Sequence, residues 1–136
     1  MRCFVNSTIR ANCRMENYLL LLIMVVFNKT KNCVVVENVE IAKTLKDKFA
    51  GLTKYNESRA MYFETRFGIH TFGMKFPIDV IICDKEMRVS VLRENLVPNR
   101  MFFWNPRFPY ILELPSGMIK TSVIEIGDRL KINLIQ

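Results

Sequence analysis

The sequence predicts a mainly β fold, a small sandwich or distorted barrel of about seven to eight mostly antiparallel strands with one α-helix after the first hairpin. Three observations predict it. Short apolar or alternating runs of strand length recur along the chain between turn residues. Only one segment carries apolar residues at three- and four-residue spacing. No tract rich in Gly, Pro or like charge divides the chain, and at 136 residues it is the size of one domain, burying roughly two-thirds of its unfolded surface.

Tyr18 to Phe27, YLLLLIMVVF, is an uninterrupted apolar run of about half the length that spans a bilayer. NKTKN and CVVVE follow it, so a first strand, a turn and a second strand are expected. Residues 1–17 then form a loose extension and residues 18–136 a single β-rich domain. The alternative reading of the run is the core of an export signal, against which no small-residue cleavage site follows. Near Glu40 to Ala50, Ile41, Ala42, Leu45 and Phe49 share one helical face, and Gly51 stands where a left-handed residue ends a helix. Strands are expected at Ala60 to Glu64, His70 to Met74 and Val80 to Cys83. Asp84 to Met87 turns the chain into Arg88 to Leu92, with Val89 and Val91 inward and Arg88 and Ser90 outward. Tyr110 to Leu114, Ser122 to Ile126 and the run after Gly127 and Asp128 complete the set.

Composition narrows the function classes. The net charge is +7, but residues 1–32 hold Arg2, Arg10, Arg14, Lys29 and Lys31 against Glu16 alone. The basicity is therefore largely N-terminal, and a phosphate-tracking groove is weakly supported. Cys3, Cys13, Cys33 and Cys83 show no C-x-x-C spacing, and one histidine cannot complete a zinc set, so neither a metal nor a cofactor is expected. Cys33 and Cys83 sit in apolar runs as reduced thiols would, which points to the cytoplasm unless the apolar run is an export signal.

The unusual polar residues gather in HTFGMKFPIDVIICD and YILELPSG. His70 shares an extended face with Phe72 and Met74 and has no nucleophile placed beside it by sequence. Asp79 opens a strand that is apolar on both faces, so it must be hydrogen-bonded, by expectation to backbone N–H groups of a nearby turn. Lys75 is about 13 Å along an extended chain from it, too far for direct pairing unless Pro77 bends the chain. Glu113 lies on the face of Ile111, turned outward or into a cleft. In NRMFFWNPRFPY, Arg100 and Arg107 alternate with Phe102, Phe103, Trp104, Phe108 and Tyr110, a mixture that stacks bases or fills interface centres.

Taken in order, these motifs resemble the family catalogued as domain of unknown function 192, over about Val25 to Ile135. They comprise the NKTKN turn, Gly51-Leu52, Met61 to Phe63, His70-Thr71, Met74-Lys75-Phe76-Pro77-Ile78-Asp79-Val80, Asp84 to Val89, Leu112-Glu113-Leu114 with Gly117, and Gly127-Asp128. The resemblance implies a small β-sandwich-like fold with a helix, and brings no established activity. Thr53 replaces a usual Met, and Gly73 replaces a bulky residue before Met74, which either opens a groove there or leaves space for a neighbour such as Trp104.

The expected function is a binding or accessory module for an unknown small ligand or protein, rather than an enzyme. Its candidate site is His70, Lys75, Asp79, Glu113 and Trp104. The alternatives are a small hydrolase or lyase using Asp79 and Glu113 as acid and base, and single-stranded nucleic-acid binding through the Arg100 to Tyr110 loop. No membrane span is expected.

Overall fold

The computed structural model describes residues 23–42 and 59–135. The extension over residues 1–17, and most of the helix expected after the first hairpin, lie outside the described residues. Residues 18–22 of the apolar run also lie outside the described residues; from Ile23 the chain forms strand β1 (Ile23–Asn28), which turns through residues 29–32 into β2 (Cys33–Val36) as an antiparallel hairpin. β10 (Leu130–Ile135) pairs with the other edge of β1, giving a three-stranded sheet ordered β10-β1-β2.

A second sheet of five strands carries most of the core. It is built from β3 (Val39–Ile41), β4 (Ala60–Glu64), β6 (Ile78–Cys83), β7 (Val89–Leu96) and β9 (Tyr110–Pro115), in the order β3-β4-β9-β6-β7. Only β3 and β4 run parallel in it. Glu40 and Ile41, expected to begin the helix, are therefore strand residues. Their β-branched neighbourhood, Val39 and Ile41, favours pairing with β4 over a helical first turn.

β6 reads as a continuous apolar run because all six of its residues are buried, as a central strand covered on both faces requires. One face, with Ile81, Leu112 and Leu114, packs on Val26 and Val35 of the smaller sheet. The other, with Val80, Ile82 and Ile111, packs on Met61, Phe63, Ile69 and Met74. Ile69 belongs to β5 (Ile69–His70), which pairs with β8 (Met101–Phe102) as a separate two-stranded ribbon. The sheets do not close into a barrel, so the sandwich form of the expectation stands.

Three local readings are corrected. Ser122 to Ile126 alternates like a strand but forms a turn after the short helix α1 (Met118–Thr121), with Val123 at φ 53°. The segment His70 to Met74 leaves the ribbon after His70, because Gly73 at φ 76° turns it back. Val89 and Val91 do point inward, but to opposite faces of the sheet, because the β6–β7 register shifts between Ile82 and Cys83.

Candidate functional site

Asp79 is fully buried, and both its carboxylate oxygens are engaged. Oδ1 accepts from Asn95 N (2.9 Å), while Oδ2 accepts from Gly117 N (3.0 Å) and Ile119 N (2.9 Å). The Asn95 amide is off the ladder because β7 bulges there, with Ile78 opposite Leu96 but Val80 opposite Arg93. The other two amides open α1, whose own residues cannot satisfy them. This is the backbone-capping role that a carboxylate in an apolar strand calls for.

Glu113 is brought to the other face. It stands opposite Val80 on β6 and Met61 on β4, and alternation along β9 sets it with Ile111 rather than with Leu112 and Leu114. Asp79, opposite Leu114, bonds Ile119 on the first face. The two carboxylates are thus separated by the sheet and form no acid–base pair. Glu113 Oε2 is buried with no hydrogen-bond partner among the described residues, and burial pushes its carboxyl up to about 8.

The remaining candidates disperse. Trp104 donates its Nε1–H to Phe108 O (2.8 Å) and leans on Phe102 at 5.8 Å between centroids, closing its loop against the Ile111 side of the core. His70 is exposed on the outside of the β5–β8 ribbon, and Lys75 is exposed after the turn. A Cβ at Gly73 would meet nothing within 4 Å among the described residues, so neither Trp104 nor another described neighbour occupies that space.

A concavity of ligand size lies elsewhere. A groove of about 470 Å³ opens between the two main sheets, floored by Met24, Ile41, Met87, Leu130, Ile132 and the ring of Tyr62. Lys29, Arg129, Lys131 and Glu86 form its rim. Its end wall is the β6–β7 turn, held in place by Leu130 N to Met87 O (2.9 Å), Val89 N to Asp128 O (2.8 Å) and the Arg88–Arg129 bridge. Neighbouring Lys31 is committed to Asp128 (3.3 Å) and Glu125 (2.7 Å), and buried Asp128 also accepts from Asn28 Nδ2 (2.8 Å). Among the described residues Lys29, Arg129 and Lys131 make no ion pair, which leaves the rim net positive. Burial pushes the Tyr62 hydroxyl up to about 12, so at neutral pH it keeps its proton over the floor. Nothing in the linear order marks this groove, since its residues come from six separate places between Met24 and Ile132.

The order of these elements is itself diagnostic. A family model described as Uncharacterized ACR, DUF192, matches residues 24–132. The chain belongs to the DUF192 family. A UPF0127 protein of Pyrococcus abyssi is 34% identical over 113 residues, covering 79% of this chain and 96% of its own. A UPF0127 protein of Thermococcus sibiricus is 37% identical over 110 residues, covering 76% of this chain and 71% of its own. A protein of unknown function from Novosphingobium aromaticivorans shares the fold with a TM-score of 0.68 at 20% identity, covering 80% of this chain and 83% of its own. In this DUF192 chain the matched span includes both the groove and Glu113. No helix among the described residues is long and apolar enough to cross a membrane.

Proposed function

We propose that this domain is a binding module that holds a small anionic molecule with an apolar body in the groove between its sheets. The observation that carries this reading is the rim of three cations, without ion pairs among the described residues, set over an apolar floor. The volume suits a small ligand. Lys and Arg together suit a phosphate or carboxylate head, and the two methionines in the lining let the floor adapt to its tail. The reading moves the ligand site away from the His70, Lys75, Asp79, Glu113 and Trp104 corner, because Asp79 is fully engaged and the other four do not converge. Cys33 and Cys83, both buried thiols, support a reducing compartment such as the cytoplasm.

Methionine-methyl NMR tests the placement with octyl phosphate as probe. Met24 and Met87 resonances should shift on titration, while Met61 and Met74, on the far face of the sheet, stay in place. Inorganic phosphate, lacking the tail, should bind more weakly, and Lys131→Glu should weaken octyl phosphate binding by about tenfold or more. Unmoved Met24 and Met87, or equal binding by the Lys131→Glu variant, would refute the groove as the site.

A further inference from the structure

The Glu113 face of the five-stranded sheet is covered by two segments, 65–76 and 97–108, that hold each other. Thr71 joins them: its N–H donates to Arg100 O (2.8 Å), its carbonyl accepts from Asn99 N (3.0 Å) and its hydroxyl bonds Val97 O (2.7 Å). In the β5–β8 ribbon Ile69 and Phe102 turn into the core, so His70 and Met101 turn out. Phe72 stacks on His70 with centroids 5.2 Å apart. Phe103 rests on Gly68, where a Cβ would come within 2.5 Å of its ring and 2.9 Å of Phe102 O.

Four outward apolar side chains stand on these two joined segments. Phe67 is 89% exposed, Phe103 61%, Met101 57% and Phe72 48%. An apolar surface of this kind on a small domain marks an interaction site. On the same two segments stand exposed Arg66, Arg100 and Arg107, and neither segment contains an Asp or Glu.

We propose that this surface docks on an anionic lipid bilayer, with Phe67, Phe72, Met101 and Phe103 entering the headgroup boundary and the basic rim meeting the lipid charge. Charge complementarity and the placement of the aromatics select this partner. Phe67 and Phe72 stand on a bend and a turn, which suits entry into a fluid interface better than base-by-base stacking along a strand. The surface lies across the five-stranded sheet from the groove, and neither segment contributes to the groove lining.

Sedimentation of the full chain with vesicles tests it. Vesicles of phosphatidylcholine with phosphatidylglycerol should bind the protein, and phosphatidylcholine alone should bind it far less. Brominated lipid in the mixed vesicles should quench Trp104, the chain's one tryptophan. Phe67→Ser with Phe103→Ser, checked for folding by circular dichroism, should weaken binding about tenfold or more, and Arg100→Ala about fivefold. No difference between the two vesicle types would overturn the assignment. So would platform variants that keep vesicle binding while losing a fluorescent single-stranded oligonucleotide.

Discussion

The stability of the native protein should fall by about 1.4 kcal/mol for each pH unit across the window from about pH 4.5 to about pH 8, and Glu113 should be the cause. In the folded chain burial pushes this carboxyl up to about 8, against an ordinary value of 4.5. Between those limits the native state holds the proton and the unfolded chain does not. Unfolding then releases a proton, so raising the pH favours unfolding. The stabilisation is fully present below the unfolded value and has been lost once the pH passes the folded one. Urea unfolding measured through this range should show the slope, and Glu113→Gln, neutral at every pH, should abolish it. Glu113→Leu should raise stability at pH 8 by about 1–3 kcal/mol, because it replaces a buried oxygen lacking a partner with apolar atoms. Cys83 and Tyr62, each pushed up to about 12 by burial, add their own losses only above the Glu113 window. An unchanged slope in Glu113→Gln would assign the effect to another group.

Asp79→Ala should cost about 3–5 kcal/mol, a large share of what a domain of this size possesses. The substitution strips three backbone amides of a charged acceptor at once: Asn95 in the bulge, and Gly117 and Ile119 at the start of α1. Asp79→Asn should be milder, since one oxygen survives, though its amide group now faces a backbone donor. Hydrogen exchange should locate the damage, with the Gly117 and Ile119 amides losing protection before those of β9. A change below about 1 kcal/mol in Asp79→Ala would mean that the carboxylate caps nothing of consequence.

Asp79 was the most legible of these residues in the sequence. A carboxylate within six consecutive buried strand positions has few acceptable fates, and backbone capping is the commonest of them. Glu113 was half legible: its place beside Ile111 followed from alternation, but whether that face was core or solvent depended on segments distant in sequence. The separation of the two carboxylates rests on register, Asp79 opposite Leu114 and Val80 opposite Glu113, which no linear pattern encodes. The misread Ser122 to Ile126 shows local pattern losing to tertiary demand. Its alternation is real, but α1 is held by Asp79 and the Ser122 hydroxyl bonds Val35 O (3.3 Å), leaving the segment to reverse the chain. The groove was not legible at all, because it is a property of how the sheets are spaced.

The bulge in β7 reaches beyond its own hydrogen bonds. β7 is an outer strand of the five-stranded sheet, and an unpaired outer strand invites a second molecule to extend the ladder. Here the extra residue kinks the strand, and Arg93, Glu94 and Asn95 are all exposed at the kink, so an incoming strand meets charge and broken register together. Since Asp79 holds the kink from within, the side chain that caps α1 also guards the protein against polymerising through its edge. Loss of Asp79 should therefore produce concentration-dependent aggregates as well as a lower unfolding midpoint, and light scattering of the Asp79→Ala variant would separate the two effects.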